Sequence, residues 1–174
     1  MEPQAIPSIQ FQNRAAFLRD RDNFLEQASQ EIEYLLHHFE KLHATPDGPE
    51  QLLELAKTLV GHLKEARYFG FRGLGGDPTN PPDFITPYEL SAVDHISVMY
   101  HAAISVMRYL RHECLVRQYQ REHPIKDEYL RDYIHNVESS DRTLILLLLK
   151  TMKERMDIYR TYQQQTQHSK SAGK

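Results

Sequence analysis

The 174 residues predict an all-α fold, a single-domain helical bundle of four main helices plus one short helix. Three observations carry this expectation. Apolar residues recur at steps of three, four and seven in separate stretches, while no stretch keeps a period of two for long. Gly and Pro, 7 and 9 in number, cluster between those stretches and leave their interiors free to be regular. One segment, Thr86 to Glu122, carries no formal charge from His95 to Met107. A helix that is apolar nearly all round suits the middle of a fold, so a central helix over about 87–122 is expected, with the others packed around it.

The elements follow in order. Met1 to Asn13 holds two prolines and no sustained period, and reads as an arm, with Ile6, Ile9 and Phe11 as its docking side chains. From Arg14 to His43, Leu18, Leu25, Ile32 and Phe39 repeat every seven residues, with Ala28, Leu35 and Leu42 as a second row. That is a heptad seam, interrupted by Arg21, on a helix about 45 Å long. A coiled coil with a second chain would use such a seam. The bulk of Phe17, Phe24 and Phe39 favours one helix of a bundle instead. Ala44 to Pro49 (ATPDGP) is a turn, short enough to set the next helix antiparallel. That helix runs to about Phe69 on the stripe Leu52, Ala56, Leu59, Leu63 and Ala66.

Gly70 to Ile85 holds four glycines and three prolines, and reads as a long irregular crossover pinned by Phe71, Leu74 and Phe84. Its glycines do not make a phosphate loop, because no Gly-Lys-Ser/Thr follows. Thr86, Pro87 and Glu89 then form a capping box that opens the central helix. Its main stripe is Ile96, Met99, Ala103, Val106, Leu110 and Cys114, and Pro124 ends it near His123. Ile125 to Val137 reads as the short helix, Glu138 to Asp141 as a break with a cap, and Asp141 to Gln164 as the last helix. The domain therefore spans 14–164, followed by a polar tail over 165–174 expected to be disordered.

Composition narrows the function classes. A net charge of -3 predicts no bulk attraction to nucleic acid or anionic membranes. The longest apolar run, Leu144 to Leu149, is far short of the roughly 18 residues a membrane span needs. The N-terminus has no basic start before an apolar stretch, and the single cysteine excludes an internal disulfide. Both fit an intracellular protein, cytoplasmic or nuclear. Cys114, on the apolar stripe, reads as a buried structural thiol.

Ten histidines raise the question of a metal. Di-iron bundles need two inward Glu-x-x-His pairs and two further glutamates. Glu40-Lys41-Leu42-His43 has that spacing, but Asp132-Tyr133-Ile134-His135 is only an aspartate variant. No metal site and no cofactor are expected. Arg117-Gln-Tyr-Gln-Arg-Glu-His123 resembles the Arg-x(4–6)-His element of the HEPN family of helical proteins. That resemblance covers seven residues and implies an endoribonuclease, with Arg117 stabilising phosphorane-like charge and His123 acting as acid or base. The basic C-terminal residues Lys150, Lys153, Arg155, Arg160, Lys170 and Lys174, with Tyr159 and Tyr162 between them, give a weaker nucleic-acid reading.

The leading expectation is non-enzymatic. A complete helical architecture without a convincing catalytic set suits an adaptor or small subunit of an intracellular complex, working by protein–protein contact. A second copy of the chain is one candidate partner. Tyr and Arg are enriched at interfaces, so the partner-binding candidates are Tyr109, Arg111, Arg117, Tyr119 and Arg121 on the central helix, with Phe71 and Leu74 in the crossover.

Overall fold

The computed structural model of the chain describes residues 5–75 and 87–172, with side chains described over 14–75 and 90–165. Among the described residues there are four helices and no strand: α1 (Ala5–His43), α2 (Gly48–Gly73), α3 (Pro87–Glu122) and α4 (Glu128–Ala172). Their backbones pack in a ring, α1 with α2, α2 with α3, α3 with α4 and α4 with α1, and across the α1–α3 diagonal side chains meet at one end, where His43 bonds Glu113. Cross-helix pairs fix the directions. Glu40 meets Arg142, Glu33 meets Lys153 and Glu26 meets Arg160, so α1 and α4 run antiparallel. Short turns join α1 to α2 and α3 to α4, which gives an up-down-up-down bundle.

The core consists of the rows read from the sequence. Leu25, Ala28, Ile32, Leu35 and Phe39 of α1 meet Leu52, Ala56, Leu59, Leu63 and Ala66 of α2. Ile96, Met99, Ala103, Val106 and Leu110 of α3, with Ile145, Leu149, Met152 and Met156 of α4, close the other side. The heptad seam of α1 is thus consumed inside the chain. Arg21, its interruption, is buried and satisfied. Its Nε donates to Asp22 at 3.0 Å, its guanidinium lies over the Tyr159 ring, and the Tyr159 hydroxyl donates to the same Asp22. Burial pushes the Tyr159 phenol well up, against the opposing pull of Arg21.

The structure departs from the expected element list at the short fifth helix and at the end of α2. The short fifth helix and the break at 138–141 do not form, and α4 is one helix from Glu128. Glu138-Ser-Ser-Asp141 holds cap-capable residues but neither Gly nor Pro. Thr143 turns its hydroxyl back on the Ser139 carbonyl, a bond that a continuous helix accommodates. At the other end, α4 continues to Ala172, through the polar segment read as a tail. The α1 helix begins at Ala5, inside the stretch read as an arm. The α2 helix continues through Gly70–Gly73, four residues assigned by sequence to the crossover.

There is a packing reason for the α2 extension. A Cβ on Gly70 would sit 3.6–3.9 Å from Arg21, Ile96 and Val93, so the glycine lies where three helices meet. The helix then stops in a recognisable way. Leu74 and Gly75 donate to carbonyls of the last turn, and Gly75 adopts φ 86°, the left-handed conformation glycine takes past a helix end. Thr86 and the crossover residues 76–86 lie outside the described residues, although α3 does begin at Pro87 as its start signal predicts.

The position of α3 is a further correction. Its bounds match the expected 87–122, but it is one wall of the ring and not a surrounded centre. His101 is exposed, and Val98 and Ser105 are half-buried on its outer side. The uncharged stretch misled here because small and neutral-polar residues tolerate solvent as readily as burial.

Candidate functional site: the tip of the α3–α4 hairpin

The helices are of unequal reach. Arg117 of α3 lies level with the end of α1, since Nη1 donates to the Thr45 carbonyl at 2.9 Å and Nη2 to the His43 carbonyl at 3.0 Å. On α4 the same level falls near Arg142, which pairs with Glu40 at 2.9 Å. The end of α3, and α4 from Glu128 to about Ile134, therefore project past the α1–α2 turn as a two-helix tip. Only two helices are present there to bury side chains. Tyr129 is 85% exposed and Tyr133 62%, with Leu130, Leu115 and Tyr119 also exposed. Tyr119, Tyr129, Leu130 and Tyr133 thus lie exposed on two neighbouring helix ends, more large apolar side chains than an ordinary surface carries in so short a reach.

Beneath the tip the interior turns polar. Glu113 is 1% exposed and accepts a hydrogen bond from His43, Nε2 to Oε2 at 2.7 Å, with His43 also buried. Its second oxygen, Oε1, is buried without a hydrogen-bond partner. Asp141 of α4 lies nearby, with His112 Nδ1 at 3.6 Å. Burial, and then the Glu113 carboxylate, push the Asp141 carboxyl above its ordinary value, with His112 pulling the other way. Between α3 and α4 these groups border a cavity of about 210 Å³, lined also by Glu138, Val116, Tyr133, Ile134 and Val137. A second, more open cleft lies over the α1–α2 turn, lined by Glu40, His43, Arg117, His135, Glu138 and Arg142.

Arg117 has a clear local task. Its cation sits on the carbonyls that end α1, where a helix dipole favours positive charge and the last C=O groups need donors. Thr45 returns its hydroxyl to the Leu42 carbonyl at the same place. His123 lies at the far end of α3, exposed and stacked on Tyr119 at 4.6 Å between ring centroids. It is not among the residues lining the cleft that Arg117 borders.

The other candidates scatter. Arg111 and Tyr119 are exposed on α3, Arg121 is exposed and pairs with Glu50 at 3.3 Å, and Tyr109 is half-buried against the core. Phe71 and Leu74 sit at the opposite end of the bundle, Phe71 under the Arg67 guanidinium and Leu74 buried. The basic residues of α4 face acidic ones on α1: Lys153 meets Glu33 and Arg160 meets Glu26. Arg155 instead lies 3.4 Å from His95.

Sequence reading missed Glu113, Glu138 and Asp141. The buried row of α3 steps 106, 110, 113, with Arg117 half-buried beyond it, whereas the apolar pattern pointed from Leu110 to Cys114. Cys114 is half-buried, and burial followed by Glu50 and Glu113 pushes its thiol up. The spacing of three before four was the available signal for Glu113.

Among the described residues, no group of three or more His, Cys, Asp or Glu is placed to hold a metal ion, and no helix is long and apolar enough to cross a membrane. Compared with known proteins, the chain matches no protein-family model, no curated protein and no solved structure.

Proposed function

We propose that this protein works by protein–protein contact through the α3–α4 tip, as an adaptor or small subunit of an intracellular complex. The observation that carries the reading is the patch of Tyr119, Tyr129, Leu130 and Tyr133 on a two-helix projection. Tyr buries much area for little lost side-chain freedom, and the phenol hydroxyl remains usable at a wet rim. Arg121 and Arg131 beside it supply donors of the kind that interfaces enrich. The body of the bundle contributes a closed apolar core and paired surface charges, which is what a scaffold needs to hold such a tip rigid.

The test compares two full-length proteins, the wild type and a Tyr119→Ser, Tyr133→Ser variant, in co-purification from the native cells. Partners held by the wild type are lost from the variant, while both unfold at nearly the same temperature. Equal recovery by both would contradict the reading. So would RNA cleavage by the purified protein that is lost on Arg117→Ala and His123→Ala.

A further inference from the structure

Large apolar side chains are exposed unevenly over the molecule. Among the described residues, α1 and α2 leave out only Tyr34 and Tyr68, whereas α3 and α4 together leave out seven. Six of those seven fall on two stripes. On α3, Leu115 and Tyr119 belong to a row of exposed positions that begins at Arg108 and Arg111 and ends at Glu122, at steps of three and four. On α4, Tyr129, Tyr133, Leu144 and Leu147 lie along one side. Both stripes are turned from the buried rows of their helices, so they share the outward face of the α3–α4 pair, away from α1 and α2.

Charge along this face is arranged about a centre. The two helices run antiparallel, and His112 of α3 is level with Asp141 of α4, which sets Leu115 level with Glu138. Counting along the chain from that level, Arg111 and Tyr119 stand four residues to either side, and Arg108 and Glu122 seven. On α4, Tyr129 and Leu147 stand nine to either side, Tyr133 and Leu144 five and six, and Glu128 and Lys150 ten and twelve. Two copies placed face to face and antiparallel would set each of these against its counterpart. Leu115 would meet itself, Tyr119 the Arg111 cation, and Arg108 the Glu122 carboxylate. Tyr129 would meet Leu147, Tyr133 would meet Leu144, and Glu128 would meet Lys150. A parallel pairing would instead set Arg108 on Arg108 and Lys150 on Lys150.

These charges are available. Arg108, Arg111, Glu128 and Lys150 make no ion pair within the described chain, and Glu122 takes only a hydrogen bond from Gln118 at 3.3 Å. The cations on the other side of α4 differ, since Arg142, Lys153 and Arg160 are all paired with glutamates of α1. The exposed parts of the six apolar side chains come to roughly 600 Å² per copy, and the flanking charges bring that near the roughly 800 Å² each partner gives to an ordinary stable interface.

We propose that the outward face of α3 and α4 is the contact between two copies of this chain, packed antiparallel about a two-fold axis at Leu115. This rests on the tip reading and names the occupant of the tip: the second copy covers Tyr119, Tyr129 and Tyr133.

The test is sedimentation equilibrium of the full-length protein. The wild type should dimerise with a dissociation constant on the order of micromolar, at the weak end for a contact of this size. Leu115→Glu puts two carboxylates on the axis and should leave a monomer that unfolds at the wild-type temperature. Arg108→Glu and Glu122→Arg, each alone, set like charges face to face twice and should weaken the dimer about tenfold or more. Combined in one chain they restore opposite charges across the antiparallel contact and should recover the wild-type constant. Should Leu115→Glu unfold early, the charge reversals carry the test.

A wild type that stays monomeric, a dimer indifferent to Leu115→Glu, or two charge reversals that do not rescue each other would overturn the proposal. A monomeric wild type whose co-purification still depends on Tyr119 and Tyr133 would overturn it too, while leaving the tip reading standing with a different protein as the occupant.

Discussion

The body of the bundle and its tip are built from the same kind of helix, yet they bury opposite chemistry. In the body, Ile96, Met99, Ala103, Val106 and Leu110 of α3 meet three other rows of aliphatic side chains, and each is 0–1% exposed. One turn further on, the same row presents the buried Glu113 and then the half-buried Arg117. Across it α4 offers Asp141 and Glu138, while the large apolar side chains of both helices face outward. The difference teaches how the number of packed helices decides what a helix can bury. Four helices can close an apolar core. Two do not, and what lies between them is a small cavity walled by Val116, Ile134 and Val137 as well as by Glu113, Glu138 and Asp141.

The contrast is broken or sharpened first by truncation. Ile96→Ala or Leu59→Ala should cost about 2–5 kcal/mol, because each leaves a cavity among side chains that cannot relax into it. Tyr129→Ala and Leu130→Ala on the tip should stay within about 0.5 kcal/mol. Denaturant unfolding of the four variants measures both. Similar losses at all four sites would mean that the tip is packed as the body is.

The next effect is smaller. His43→Leu removes the one described donor to Glu113 and should cost roughly 1–3 kcal/mol, read in the same way. Arg117→Ala should cost about 1–2 kcal/mol by freeing two carbonyls at the end of α1, with Arg117→Lys recovering part of the loss. Stability unchanged by both substitutions would mean that these two hydrogen bonds contribute nothing.

The smallest effects are set by pH, and the two regions have opposite signs. In the body, burial and then Arg155 hold the His95 imidazole below its ordinary value, with Asp94 opposing. As pH falls through about 6.5, the unfolded chain gains a proton there that the native state resists, so His95 contributes a loss of stability on the acid side. At the base of the tip, the Asp141 carboxyl is raised. As pH climbs above about 3.9, the unfolded chain releases a proton that the native state keeps, so Asp141 contributes a loss that is complete at neutral pH. Asp141→Asn should therefore raise the unfolding temperature at pH 7 more than at pH 4. His95→Gln should flatten the slope between pH 7 and pH 5.

Much of the body was legible in the sequence. The α1 heptad, the α2 stripe, the turn at 44–49 and the bounds Pro87 and Glu122 all rest on local rules: apolar spacing, proline punctuation and helix starts. The ring arrangement was not legible, because small neutral residues on α3 suit a wall as well as a centre. The uninterrupted α4 was hidden because Ser139, Ser140 and Asp141 favour caps without forbidding a helix interior. The base of the tip was least legible of all. A buried glutamate looks polar in any pattern, and its partner His43 is 70 residues away in sequence. Pairing across that distance is a property of the packed bundle and leaves no local mark.

The claim that the tip is the working face is tested most directly by site-specific photocrosslinking in the native cells. A benzophenone side chain would be placed at Tyr133 and Tyr119 on the tip, and at the exposed body positions His101 and Glu54. Discrete higher-mass adducts from the two tip positions, with none from the body positions, are the predicted result. Adducts from His101 or Glu54 with none from the tip would contradict it.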